Sequence, residues 1–267
     1  MTTSTGAFEA GVQLRELTEL ADLAAACALF DEIWRPAPDN PPVTAELMRA
    51  LASGGGYVAG AFEGDRLVAA SAGFCGPPRE RSLHSHIAGV SAAVRGRAVG
   101  RALKLHQRDW AIARGIAHIT WTFDPLVRRN AWFNLARLGA VPVAYKANFY
   151  GGMHDAINGD DESDRLLVRW DLEAPAVGAP AADGAAVALA AGPDGGPVAT
   201  GTVGSAVLVG VPQDIEALRG ERPEVARAWR LALRRTLGGL MLAGASVVGF
   251  DRDGGYVVHT REDGEQP

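Results

Sequence analysis

The apolar positions of this chain switch between two periods, and the switches outline its elements. Over 12–34 a short strand gives way to a helix. Leu17, Leu20, Leu23, Ala24, Cys27 and Phe30 recur at helical spacing there, with acids on the other side. Prolines 36, 38, 41 and 42 exclude both helix and ladder, so 35–42 is read as a loop. A short helix is predicted over 44–52, capped by Thr44 and stopped by Gly54-Gly55-Gly56. Tyr57–Phe62 and Leu67–Phe74 are apolar strands, and Glu63-Gly64-Asp65-Arg66 between them has hairpin-turn chemistry. His84–Val90 reads as a strand feeding a basic, glycine-containing loop. A helix follows from Val99 to Arg114, is ended by Gly115, and leads into a strand from Ile116 to Phe123. The pattern continues with a helix over 130–138 closed by Gly139, then strands over 141–150 and 166–172.

Beyond this point the pattern changes. Residues 174–184 are rich in Ala, Pro and Gly without a period and read as a linker. Two or three strands follow, the clearest over 205–211. A helix from Pro223 to Ala243 packs through Trp229, Leu233, Leu237 and Leu240, and strands lie over 246–250 and 256–260. The acidic run 158–164 reads as a solvated turn, and 262–267 as a fraying tail. Residues 86–123 and 206–250 share a strand, loop, helix, strand order. A degenerate repeat accounts for that order, and so does ordinary strand–helix grammar.

Composition narrows the function. The net charge of -5 argues against a nucleic-acid binder working by phosphate neutralisation. Two lone cysteines, Cys27 and Cys75, offer neither a disulfide framework nor a metal cluster and fit a reducing cytoplasm. Residues 1–11 lack a basic start before an apolar core, and no apolar run is long enough to span a membrane. No His/Cys/Asp set has zinc spacing, His154-Asp155 alone being insufficient, and no phosphate-binding Walker loop or nucleophile elbow occurs.

The 33 glycines mostly punctuate turns, but Gly96 and Gly100 lie where chemistry is expected. The stretch Val90-Ser91-Ala92-Ala93-Val94-Arg95-Gly96-Arg97-Ala98-Val99-Gly100-Arg101-Ala102 leaves a strand and enters a helix. It would present backbone N–H groups at the positive end of a helix dipole. The two glycines would let a ligand approach the backbone, and three arginines add charge, which together make a pyrophosphate cradle. A tight strand–helix turn with solvated arginines is the other reading.

Arg95-Gly96-Arg97-Ala98-Val99-Gly100 resembles the signature of the GNAT family, the acyl-CoA-dependent N-acyltransferases, with Ala98 where that family usually has glycine. The order of elements upstream is similar too. The stretches 121–126, 130–134, Tyr150-Gly151, Asp164-Arg165 and a C-terminal region around 212–214 and 229–230 resemble a poorly characterised bacterial GNAT-like group. The resemblance implies an α/β (α+β) fold: a mixed, mostly antiparallel twisted sheet flanked by helices, with a smaller C-terminal β-β-α-β region. It implies an acyl-CoA-binding domain over 8–173, a linker over 174–184 and an α/β region over 185–261. Acetyl-CoA or another acyl-CoA would be the co-substrate, with no metal, no nucleic acid and no membrane involved. A small-molecule amine or amino-acid-like metabolite would be the acceptor, in the cytoplasm, and a homodimer is compatible with this.

Under that resemblance the cradle contacts fall on Val90, Val94, Arg95, Gly96, Arg97, Ala98, Val99, Gly100, Arg101 and Ala102, with Asn130 and Asn134 near the pantetheine arm. Asn130 also suits a helix cap. The family's usual proton-donating Tyr falls here at Leu135, four residues before Gly139, and leucine has no proton to give. Tyr145 or Tyr150 could serve only if the fold returns one of them to the site, and Tyr150 is the candidate taken. His84 and His86 flank Ser85 on one strand face, which makes His86 a candidate base. Asp124, at a strand's C-terminal end, is a second candidate base or a clamp for a cation; a loop-holding carboxylate is equally compatible. Arg128-Arg129 reads as a basic turn or a phosphate contact, and Arg230 with Arg234 as a cover over the cleft. Direct amine attack on a thioester is the leading function. Its alternatives are a non-catalytic acyl-CoA-binding protein, and other thioester chemistry such as O-acyl transfer or decarboxylation.

Overall fold

The computed structural model describes residues 10–37, 39–153, 155, 161–174, 184–201 and 204–260. Most of the linker and the tail, and the first part of the acidic run, lie outside them. The chain divides into two compact units, 1–121 with 171–174, and 122–170 with 175–267.

The first unit holds β1 (Gln13–Glu16), α1 (Leu20–Trp34), α2 (Ala45–Ser53), β2 (Tyr57–Glu63), β3 (Arg66–Cys75), β4 (Ser82–Val90), α3 (Val99–Ile112) and the start of β5 (His118–Phe123). These strands lie in the order β1-β2-β3-β4-β5. Neighbours are antiparallel except β4 and β5, which are parallel. The alternating pattern of β2 and β3 loads both faces of this sheet. Leu23, Phe30 and Met48 pack with Val58, Ala70 and Ala72 on one side. Val99, Ala102 and Leu103 pack with Ala61, Val68 and Ala69 on the other. The Thr44 hydroxyl accepts from Leu47 N at 3.2 Å, the cap expected of α2. Gly115, at φ +71°, ends the α3 region as its residue type predicts.

The second unit begins at the end of β5 and continues through α4 (Arg128–Ala131), a π-helical stretch over Trp132–Arg137, β6 (Val141–Lys146) and β7 (Arg165–Asp171). It then carries β8 (Ala186–Ala191), β9 (Pro197–Ala199), β10 (Ala206–Gly210), α5 (Ile215–Glu221) and α6 (Pro223–Leu233). A second π stretch over Arg234–Gly238, α7 (Gly239–Leu242), β11 (Ser246–Asp251) and β12 (Gly255–His259) complete it. Its five-stranded sheet has the order β11-β12-β10-β8-β9, with β8 and β10 parallel. Trp229, Leu233, Leu237, Phe250 and Tyr256 are fully buried in it.

Three expectations change. The helices over 130–138 and 223–243 each widen into a π turn, which a period of 3.6 does not reveal. The strand expected over 141–150 stops at Lys146, because 147–150 form a turn in which Asn148 has φ +44°. The strands of the suggested repeat are also arranged differently. β4 and β5 are neighbours, whereas β12 stands between β10 and β11. Among the described residues no helix is long and apolar enough to cross a membrane.

Candidate acyl-CoA site

The basic loop after β4 folds as a single 3-10 turn, Ala92–Val94, which the Ser91 hydroxyl caps by accepting from Ala93 N at 3.4 Å. The chain then turns through Arg95–Ala98 into α3. Gly96 has φ +79° and Ala98 has φ +58°. Ala98 provides no side-chain cap to the helix, so the first amides of α3 have no capping acceptor from it. A built Cβ at Gly96 meets nothing within 4 Å, so the glycine is there for its backbone conformation. Val94, Val99 and Ala102 anchor the loop from below, in the core. One charge departs from expectation: Arg97 is ion-paired to Glu63 at 2.7 Å, so less of its field reaches the loop than that of Arg95 or Arg101.

The strand leading into this loop separates from its neighbour. β4 and β5 pair only at Ser82 with His118, Leu83 with Ile119 and His84 with Thr120. At the last pair the His84 ring nitrogen Nδ1 meets Thr120 Oγ1 at 3.0 Å. From Ser85 onward β4 stays paired with β3 but no longer with β5, leaving a splay on that side. A bulge against β3 falls at the same place, since Ala72 faces Ile87 and Gly73 faces Ser85, which makes His86 the extra residue. A Cβ on Gly73 would lie 2.6 Å from His84 O, so only glycine fits opposite the bulge.

His84 and His86 do share a face, their rings 5.2 Å and 6.1 Å from that of Phe74. Burial, then His86 and Lys104, lower the His84 pKa, and partial desolvation lowers that of His86. Both imidazoles are therefore largely neutral at pH 7.

The opposite face of the splay carries a group that sequence reasoning missed. Lys104 of α3 is 7% exposed. Its Nζ donates to Ser85 Oγ at 2.9 Å and Gln107 Oε1 at 3.1 Å, and lies 4.2 Å from the Trp121 ring centroid. Desolvation lowers its pKa to about 7. Gln107 Nε2 and Ser71 Oγ, both buried, have no hydrogen-bond partner among the described residues. The signal available in the sequence was spacing: Gly100, Lys104, Gln107 and Ala111 fall on one face of α3.

The remaining candidates belong to the second unit. Asp124 is buried and accepts from Leu126 N at 2.9 Å while pairing with Arg219. Its oxygens are thus engaged in holding the loop after β5, the arrangement expected of the loop-holding alternative. Tyr256 OH ties the same loop by donating to Pro125 O at 2.7 Å. The Tyr150 hydroxyl lies 3.0 Å from Thr122 Oγ1, so the turn after β6 does return to β5. Asn134 and Leu135 are buried and Asn130 is half-buried.

Arg129 pairs with Glu216, at 2.7 Å between Nη2 and Oε1, and Arg128 donates to Arg252 O at 2.9 Å, so neither is a freely solvated basic turn. The acidic run is likewise more than a solvated turn. Arg230, 2% exposed, binds Asp161 at 2.7 Å and Glu162 at 2.8 Å, and Arg234 Nε binds Asp164 at 2.8 Å. Arg230 and Arg234 are therefore committed within their own unit rather than covering a cleft. Among the described residues no group of three His, Cys, Asp or Glu could hold a metal ion.

A strand that parts from its parallel neighbour, a left-handed loop and a helix N-terminus follow one another on a mixed sheet. Residues 5–125 match the family model of the acetyltransferase (GNAT) domain. Solved structures agree on the fold. A GNAT-family structure from Desulfovibrio desulfuricans is 16% identical and covers 60% of this chain and 99% of its own, with a TM-score of 0.50. The ribosomal-protein-alanine N-acetyltransferase of Brucella melitensis gives the same four values. The yncA structure of Salmonella typhimurium with its cofactor acetyl-CoA is 15% identical, covers 64% and 99%, and has a TM-score of 0.50. No curated protein matches significantly. Residues 5–125 are thus similar to the acetyltransferase (GNAT) domain, and the fold is the one these solved structures share.

Proposed function

We propose that the protein transfers an acyl group, acetyl in the first instance, from CoA to the nitrogen of a small amine or amino-acid-like metabolite. Residues 8–173 would form the acyl-CoA-binding domain, with 185–261 attached to it. The observation that carries this reading is the continuity of the β4 splay with the loop and the start of α3. The pyrophosphate would sit on the amides of Gly96 and Ala98–Arg101 between Arg95 and Arg101, where the helix dipole and the fixed charges favour an anion. The pantetheine arm would follow Ser85–Val90, about 17 Å of strand, on the backbone groups that β5 leaves unpaired.

His86, exposed on the bulge and neutral at pH 7, would take the first proton from the acceptor ammonium. The amine nitrogen then attacks the thioester carbonyl carbon. A C–N bond forms, the C–S bond breaks, and the sulfur leaves with the electron pair. Phe74 would supply an apolar wall for the acceptor.

Gly100→Asp tests the cradle. A Cβ at Gly100 meets only Val90 Cγ2 at 3.5 Å, an ordinary contact, so the fold should tolerate the change. Its carboxylate would face the pyrophosphate, and acetyl-CoA affinity measured by calorimetry should drop at least about tenfold. Unchanged affinity would overturn the assignment. With wild type, release of CoA thiol across a panel of amines tests catalysis. Tight binding without thiol release from any acceptor would make the chain a binder instead.

A further inference from the structure

We propose that Lys104, acting through the Ser85 hydroxyl where β4 and β5 part, carries the proton that neutralises the CoA thiolate released on thioester cleavage. The inference rests on the reading that CoA occupies the loop and the splay.

Four observations point the same way. Of 26 lysines and arginines only Lys104 and Lys146 are lysine, so a chain that otherwise uses arginine places one of its two lysines in the core. Arginine does not give up its proton in a protein, whereas a buried lysine does. The contacts of Lys104 are neutral: Ser85, Gln107 and the Trp121 face. A buried ammonium so placed has hydrogen bonds but no counter-charge among the described residues, and an anion arriving at Ser85 would supply one. Gln107, fully buried and bound to Lys104 through Oε1, presents an amide Nε2 with no partner among the described residues, so the cluster retains unused donor capacity. Ser85 is the first residue beyond the last β4–β5 pair, about a strand's length from the cradle, where the thioester end of an extended pantetheine would lie.

The titratable groups facing this cluster are few. His84 on β4 is coupled to Lys104, with His86 beyond it. Tyr57 on β2 is bonded to His106 of α3 at 2.9 Å. Thr120 and Trp121 on β5 and Ser71 on β3 are neutral.

The step balances. The acceptor nitrogen gives up two protons, one to His86 before attack and one to solvent as the tetrahedral intermediate collapses. The C–S electron pair goes to sulfur. Ser85 passes its hydroxyl proton to sulfur and receives one from Lys104, and the Lys104 amine is recharged from solvent. One proton is released overall. Lys104 is thus a positioning residue for this proton, and Ser85 is the group that meets sulfur. With Leu135 unable to donate, this supplies an acid from within the first unit.

The test uses the full chain and free CoA, following ultraviolet thiolate absorbance against pH. In wild type the bound thiol should ionise at least about tenfold more readily than free CoA, a midpoint lower by one unit or more. Lys104→Met should return the midpoint to the free value while keeping CoA affinity at pH 6 within about threefold. A wild-type midpoint in Lys104→Met overturns the proposal. A second measurement needs no variant. In wild type labelled with nitrogen-15 lysine, adding CoA at pH 8 should protonate Lys104, and acetyl-CoA should not. An unchanged Lys104 signal with CoA bound overturns the proposal too. If wild type binds no CoA at all, the cradle reading itself fails, and this inference falls with it.

Discussion

Replacing Lys104 by methionine should change the pH dependence of stability in a window where few other groups titrate. In the unfolded chain Lys104 holds its proton up to about pH 10.4, whereas in the fold burial lowers its pKa to about 7. Between those values the unfolded state binds one more proton, so stability rises with pH through the window. Below pH 7 both states are protonated and the burial penalty is fully present. Above pH 10.4 both are neutral and it is gone. The shift is worth about 1.4 kcal/mol per unit, so between pH 7 and pH 10 wild type should gain about 3–4 kcal/mol that Lys104→Met does not. Methionine also removes the hydrogen bonds to Ser85 and Gln107, but that loss is the same at every pH.

Urea unfolding at half-unit steps from pH 7 to 10, on both proteins, yields the difference directly. The variant should be the more stable of the two near pH 7, and its advantage should shrink steadily toward pH 10. The histidines do not intrude, because His84, His86 and His106 are all shifted below their ordinary value and titrate under the window. A difference flat across the range would refute the argument. It would mean that Lys104 keeps its proton in the fold and is solvated or paired by something other than Ser85, Gln107 and Trp121.

Ala98→Gly should stabilise the protein by about 0.5–1 kcal/mol. Relief of a left-handed alanine at φ +58° outweighs the entropy glycine gains on unfolding, and Ala98 is exposed, so no packing is lost. A lowered urea midpoint would contradict this. Arg230→Met should cost about 1.5–3 kcal/mol by stranding Asp161. Burial raises the Asp161 and Asp164 pKa values, but the bonds from Arg230 and Arg234 outweigh it and both lie below the ordinary value. Their contribution is therefore present above about pH 4 and lost as pH falls below it. Acid unfolding of Arg230→Met should begin at higher pH than in wild type, and coincident acid curves would exclude the clamp.

Elements were legible in the sequence wherever one rule dominated. The Gly54-Gly55-Gly56 stop, the Thr44 cap, the hairpin at Glu63–Arg66 and the Gly115 terminus each rest on local chemistry that burial does not override. The loop was legible for the same reason, and the departure at Ala98 marked a real left-handed position. The π turns and the bulge at His86 were not, since each adds one residue to a period without leaving a residue-type signature.

The charged residues show a different limit. Arg230, Arg234 and Arg129 each looked like solvated or ligand-facing cations, because their partners lie 68 to 87 positions away. A local window sees a charge without seeing what neutralises it, and so assigns every unpaired arginine to solvent or to a substrate. For Lys104 the error ran the other way. Four helical residues from Gly100, it looks like one more polar position on a basic helix, and only the register of α3 against Ser85 and Trp121 shows that it is buried. The buried fixed charges Arg230, Asp124 and Asp164 are matched by fixed partners. The lysine that can lose its proton is matched by neutral groups, and it stands where a thioester would release an anion. A cation held for structure alone would gain from a carboxylate beside it, as Arg230 does. That no carboxylate among the described residues touches Lys104 is what turns a buried charge into a prediction about sulfur.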